Sequence, residues 1–219
     1  MIISVVIPKN NFRRMKQFAI SMISVMLFVS LSVKSQPYID KAKEGKIEVA
    51  YFASGCFWCV EAIYESVNGV EEAVSGYAGG HTKNPTYKST GSGTTGHAET
   101  VAVYYDPSIV SFSTLVEVYY GSQNPTTKGQ HPDYGSPYRS IIFYQNKEEE
   151  AIVKHWFDTL NENVYEGKMV TEIKNFEVFY KAEDYHQDFE KRNPNQSYVK
   201  AVSIPRLNRF KKKFPELLK

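Results

Sequence analysis

The chain has two cysteines in 219 residues, three apart in Cys56-Phe57-Trp58-Cys59. A strand expected over Ile47–Ala53 ends in Ser54-Gly55, and a helical pattern follows, with Val60, Ile63, Tyr64 and Val67 on one face. Cys56 therefore opens a helix, where unpaired N–H groups and the positive end of the dipole favour thiolate over thiol. Cys59 lies one turn further along the same face. That spacing brings the two Cα atoms within the roughly 4.4–6.8 Å that a disulfide allows, so the pair can cycle between dithiol and disulfide. Phe57 and Trp58 supply an apolar wall beside the sulfur.

Three other readings of the pair stay open at this point. A zinc site lacks support, because there is no second Cys pair and the five His are scattered without ligand spacing. A purely structural disulfide is the second. A thioredoxin-like thiol–disulfide oxidoreductase is the third, with Cys56 exposed and Cys59 buried, although the chain is long for such a module.

Downstream residues can serve the thiol. Glu99 belongs to a strand expected over His97–Tyr105 and shares a face with Val101, Val103 and Tyr105. A carboxyl on an apolar face has its pKa raised by desolvation and can act as a general acid near neutral pH. Tyr87 and Tyr138 sit at loop–strand junctions, and Asp133 lies in a long loop. One acid and two phenols beside a reactive thiol can bind and protonate a polarised oxygen.

The elements that must position these groups follow from pattern. Two polar loops, Ala78–Gly96 and Gly121–Pro137, are long for a compact domain, and such loops are more often functional. Helices are expected over Phe112–Tyr120 and from Asn146, with Glu149 three residues on as a capping pattern, to Leu160. Tyr138–Tyr144 and Val170–Tyr180 read as strands, and Ala182–Lys191 as a short helix. The fold class is α+β, a two-layer α/β domain with a mixed central sheet flanked by helices and long functional loops.

Composition bounds the rest. With 42% hydrophobic and 23% charged residues the chain is globular, which excludes disordered, collagen-like and low-complexity classes. The first 35 residues carry five of the 26 Lys and Arg and none of the 24 acids, so the remainder stands at −3 rather than the +2 of the whole. That balance gives no electrostatic case for nucleic acid. Residues 18–33 form an uncharged apolar run after Arg13, Arg14 and Lys16, shorter than the roughly 20 residues of a membrane span. The pattern fits a secretory signal over 1–35, with cleavage after Ser35 and a start at either Met1 or Met15. Residues 36–46 read as a linker, 47–200 as the catalytic domain and 201–219 as a basic tail. In that tail Arg206, Arg209 and Lys211–Lys213 look like a solvated run.

Four segments together resemble the signatures of A-type peptide methionine sulfoxide reductases: Gly55-Cys56-Phe57-Trp58, Asn84-Pro85-Thr86-Tyr87, Gly96-His97-Ala98-Glu99 and Tyr138-Arg139-Ser140. They occur in the family's order, and the similarity spans roughly Ile47–Lys191 and continues weakly into the tail. The resemblance implies that Cys56 attacks the sulfoxide sulfur and that Phe57 and Trp58 hold the substrate methyl. It further implies that Glu99 protonates the sulfoxide oxygen, that Tyr87 and Tyr138 bind it, and that Asp133 lines the pocket. No metal or bound cofactor is implied. The products would be methionine and a Cys56 sulfenic acid, followed by a disulfide that an external thioredoxin-like thiol reduces. Substrates would be methionine-S-sulfoxide, free or in proteins, and the role repair of oxidative damage. The protein is expected as a monomer, exported to the periplasm or medium.

The sequence departs from the family pattern at three places. Cys59 stands where many relatives have Gly. Tyr198-Val199 occupies a segment where relatives often carry Cys, and Pro137 replaces a common Gln before Tyr138. No cysteine follows Cys59, so Cys59 is the intramolecular resolver available to Cys56. A secreted binding protein that uses the aromatic pocket without turnover is the competing reading from outside enzymology.

Overall fold

The computed structural model describes residues 36–219; the expected signal segment, residues 1–35, lies outside the described residues. Strand β1 (Glu48–Ala53) runs through the middle of a six-stranded sheet. Its neighbours are β3 (Ala98–Tyr105) on one side and β6 (Ile141–Tyr144) on the other, both antiparallel. Strand β2 (Val70–Ala78) pairs antiparallel with β3, and β8 (Phe179–Lys181) closes that edge. At the opposite edge β7 (Glu172–Asn175) runs parallel to β6, so the sheet is mixed in the order β7-β6-β1-β3-β2-β8.

Alternation along the central strands sorts two apolar layers. Ala50 and Phe52 of β1, with Val101, Val103 and Tyr105 of β3, enter the main core. Tyr51 and Ala53, with Ala98, Ile141 and Phe143, enter a smaller cluster on the other face. The main core is closed by α2 (Phe57–Glu65), α4 (Phe112–Gly121), α5 (Lys147–Asn163) and α7 (Ile204–Lys213). A shorter α1 (Pro37–Lys43), α3 (Tyr87–Gly91) and α6 (Phe189–Arg192) complete the helices of the described residues. None of these helices is long and apolar enough to cross a membrane.

The helix ends follow local chemistry. Ser111 Oγ accepts from the Thr114 N–H at 3.1 Å, and Asn146 Oδ1 from the Glu149 N–H at 2.8 Å, opening α4 and α5 as their sequences predict. After α2 the chain turns at Gly69, whose φ is +87°; a Cβ there would lie 2.7 Å from Val110 Cγ1.

Four expectations need correction. Val170–Tyr180 is not one strand but two, β7 and β8, on opposite edges of the sheet. The chain leaves the sheet between them, where Phe176 stacks on Tyr51 at 3.8 Å. Ala182–Lys191 is mostly turns, with helix only from Phe189. The linker is α1, tied down by a Lys41–Glu71 ion pair of 2.7 Å. The basic tail is no tail: α7 packs on α2, with Phe210 and Phe214 buried in the main core and Arg206 only 6% exposed.

Candidate active site

The turn from β1 into α2 presents the redox pair. Cys56 occupies the cap position ahead of Phe57, with extended backbone angles of −53° and 122°. Its carbonyl accepts the N–H groups of Cys59 and Val60 at 3.1 and 3.3 Å, which starts the helix. Both thiols are free and both are buried, so Cys56 is not the exposed sulfur of the oxidoreductase reading.

Burial opposes the helix-dipole argument for a Cys56 thiolate. It pushes the Cys56 thiol well above its usual value, and the neighbouring Cys59 and Glu99 push it further. Cys59 moves the other way, down to about 6, because Cys56 hydrogen-bonds to it and the Arg206 guanidinium adds positive charge, outweighing its burial.

Glu99 faces this turn from β3. It is 4% exposed, and its Oε2 accepts the Phe57 N–H at 2.9 Å. Desolvation lifts its carboxyl to about 8 despite that hydrogen bond, and the charges of Asp133 and Cys59 add to the rise. Glu99 is therefore a neutral acid at pH 7 on the face that strand alternation assigned to it.

The loops bring up the phenols. Thr86 caps α3 through a reciprocal pair with Ser89, and the Tyr87 N–H donates to Glu183 Oε1 at 3.0 Å. Tyr87 is 37% exposed, its hydroxyl raised to about 12 by burial and then by the charges of Glu99, Cys56 and Asp133. Pro137 is buried in a single 3-10 turn, Ser136–Tyr138, where its fixed φ suits the turn's start. Tyr138 follows and is raised in the same way, by burial and then by Glu99, Tyr87, Asp133 and Cys56. Arg139 fixes this corner by donating to the Gly96 carbonyl at 2.8 Å. Asp133 comes from the small hairpin of β4 (Gly129–Gln130) and β5 (Asp133–Tyr134), and it accepts the Tyr198 hydroxyl. All eight expected residues thus converge on one place.

The walls are aromatic. Phe57 is buried, with its ring 6.3 Å from that of Tyr87 and 5.9 Å from that of Tyr77. Trp58 is half-buried and stacks on Phe189 at 3.7 Å, with Tyr198 edge-on at 5.8 Å.

Three further residues escaped the sequence reading. His186 is 1% exposed, and its Nδ1 accepts the Trp58 Nε1–H at 3.1 Å. Burial lowers its pKa, so it stays neutral and orients Trp58. Glu183 holds Tyr87 from below and accepts the Tyr77 hydroxyl at 2.8 Å. Arg206 reaches the turn before Cys56, donating to Ser54 Oγ at 3.4 Å. The first two lie in a polar stretch, Glu183–Asp188, that carries no periodic signal; for Arg206 the signal was its helical spacing to Phe210.

Comparison with known proteins decides the family. A sequence model described as peptide methionine sulfoxide reductase matches residues 48–218. The chain belongs to that family. This family member is 43% identical over 174 residues to the peptide methionine sulfoxide reductase MsrA of Saccharolobus solfataricus, covering 79% of this chain and 98% of that protein. It is 44% identical over 180 residues to MsrA 1 of Rhodopirellula baltica, covering 82% and 93%. Among solved structures, methionine sulfoxide reductase A of Corynebacterium diphtheriae superposes with a TM-score of 0.61 at 34% identity, over 69% of this chain and 77% of that one. Mxr1 of Saccharomyces cerevisiae in its reduced form gives 0.61 at 30% identity, over 69% and 88%. The family match runs to residue 218, so it includes the α7 segment that the sequence reading set apart.

Proposed function

We propose that this member of the family reduces methionine-S-sulfoxide, free or in proteins, to methionine, with Cys56 as nucleophile and Cys59 as resolver. The observation that carries the reading is a neutral, buried Glu99 carboxyl set against the same helix turn that presents Cys56. In the first step the Cys56 sulfur attacks the sulfoxide sulfur while Glu99 gives its proton to the oxygen, held by Tyr87 and Tyr138. Phe57 and Trp58 enclose the methyl group. The substrate sulfur gains two electrons and leaves as methionine, and Cys56 becomes a sulfenic acid. Cys59 then attacks the Cys56 sulfur, water leaves, and a disulfide forms. Oxidation had made the methionine side chain polar and chiral, and its reduction restores a flexible apolar group that can pack in a core again.

A thioredoxin-like thiol donor would return the disulfide to the dithiol. We also read residues 1–35 as a cleaved signal, on their basic flank and short apolar run, which places repair in an exported, oxidising compartment. The purified protein, given dithiothreitol and the separated S and R epimers of a blocked methionine sulfoxide, should form methionine from the S epimer alone. Turnover of neither epimer, with disulfide exchange retained, would overturn the reading in favour of a thiol–disulfide oxidoreductase.

A further inference from the structure

Between α7 and the β4–β5 hairpin the surface opens into a cavity of about 490 Å³. Arg206, Arg209 and Lys213 line it from the helix, and Gln130, His131 and Tyr134 from the hairpin. The spacing of the three cations places them on one helix face. No Asp or Glu contributes to the lining. Among the described residues, no carboxylate comes within 4.0 Å of any of the three cations. Arg209 and Lys213 are exposed, as solvated charges ordinarily are. Arg206 is different. It is 6% exposed, and its Nε and Nη2 donate to uncharged groups, the Ser122 carbonyl at 3.0 Å and Ser54 Oγ at 3.4 Å. A buried guanidinium without a counter-ion is costly, so a carboxylate entering the cavity would meet a charge already stripped of most of its water.

The cavity backs onto the redox turn. A Cβ on Gly55 would lie 2.9 Å from Gln130 Cγ and 3.5 Å from Arg206 Nη1, so two lining side chains pack against the residue before Cys56. Asp133 and Tyr134 are consecutive on β5, and alternation sends their side chains to opposite faces. Asp133 accepts the Tyr198 hydroxyl on the thiol side, whereas the exposed Tyr134 lines the cavity. The hairpin is therefore the partition between cavity and thiol. Sheet layers are spaced about 10 Å apart, and an extended chain advances about 3.3 Å per residue. A peptide with its sulfoxide at Cys56 thus reaches the cavity about three residues away.

We propose that this cavity is a docking subsite for acidic side chains of a protein substrate, about three or four residues from the oxidised methionine. The inference rests on the reductase reading and adds a preferred class of substrate, chains whose sulfoxide lies in an acidic stretch. The occupant is an extended segment and not the face of a folded partner, because Arg206 is buried and only a side chain on a flexible strand reaches it. Arg209 can take a carboxylate bidentately, and Lys213 adds a point charge. The Tyr134 ring gives the peptide an apolar surface to lie on.

The test uses the full chain, dithiothreitol and blocked S-sulfoxide peptides. These carry Glu-Glu, Gln-Gln or Lys-Lys at the third and fourth positions from the sulfoxide, in one series before it and in another after it. In at least one series KM should be about tenfold lower for the Glu than for the Gln peptide at about 50 mM salt, with kcat equal. The gap should close to within about twofold at about 0.5 M salt. Arg209→Gln with Lys213→Gln should cut the preference to about threefold or less, and Arg209→Glu with Lys213→Glu should reverse it in favour of the Lys peptide. Each preference is a ratio within one enzyme, so a general loss of activity cancels. A wild type that treats the peptides alike in both series would overturn the proposal, and so would a Gln pair that keeps the whole preference. A Gln pair that raises KM for a thioredoxin donor and leaves the peptide ratio unmoved would assign the cavity to the reductant instead. Calorimetric titration with the unoxidised peptides needs no turnover, and the Glu peptide should bind about tenfold more tightly than the Gln peptide. Equal binding of the two sinks the subsite, whereas absence of methionine from every peptide sinks the reductase reading alone.

Discussion

Replacing Glu99 by Gln isolates the proton that the proposed first step requires. Gln keeps the side-chain volume and a carbonyl oxygen to accept the Phe57 N–H, now made at 2.9 Å, so the redox turn should hold its shape. The amide can still hydrogen-bond the sulfoxide oxygen, but it cannot protonate it. General-acid catalysis contributes about 10²–10⁴-fold, and the retained hydrogen bond places the expected loss in kcat/KM at roughly 10²–10³-fold at pH 7. The pH profile gives a sharper check. With Glu99 titrating at about 8, the wild-type rate should fall on the alkaline side. From pH 7 to 9 the protonated fraction drops about tenfold. The Gln variant should be flat over that range, and the gap between the two enzymes should shrink by about tenfold. A nucleophile-only account predicts the opposite slope, because the thiolate fraction of the raised Cys56 thiol grows with pH. Rapid-quench single turnovers from pH 6 to 9.5, with methionine quantified and no external thiol, read all of this. A variant within about fivefold of wild type at pH 7, or one that keeps the alkaline fall, would refute the general-acid assignment.

The remaining predictions concern the resolver, the C-terminal helix and pH stability. Cys59→Ser should form one methionine per chain and stop, leaving a Cys56 sulfenic acid that dimedone traps and mass spectrometry locates; continued turnover with thioredoxin alone would contradict the resolver role. Phe210→Ala should cost about 3–5 kcal/mol in denaturant unfolding, since this ring is 2% exposed within the main core. A loss under about 1 kcal/mol would mean that α7 is not part of the folding unit. Burial lifts the Glu61 carboxyl from 4.5 to about 8. The unfolded chain ionises first, so this contribution to stability is complete below about 4.5 and fades as pH rises toward 8. The Tm of Glu61→Gln should therefore decline less than that of wild type between pH 5 and 9, and parallel curves would rule the effect out.

The sequence alone determined the redox turn and its acid. Cys56 at a helix start, Cys59 one turn on and Glu99 on the apolar side of β3 all follow from periods of 3.6 and 2, which are local properties of the backbone. Tyr87 and Tyr138 at loop–strand junctions and Asp133 in a long loop stood out by residue type and place, and the family resemblance then gave each its role, because their loops carry no periodic signal of their own. Only the tertiary structure decided how far the thiol is removed from water. Solvation is set by every neighbour in space, and burial pushes the Cys56 thiol up, against the dipole argument for a thiolate there. The same holds for Val170–Tyr180, a continuous strand-like run that two sheet edges divide between them. Arg206 sits in a basic run that reads as solvated, yet Phe210 four residues on anchors α7 in the core and buries the guanidinium beside the turn that carries Cys56. A charge pattern shows what a helix face can carry, and only packing shows which of those charges leave water.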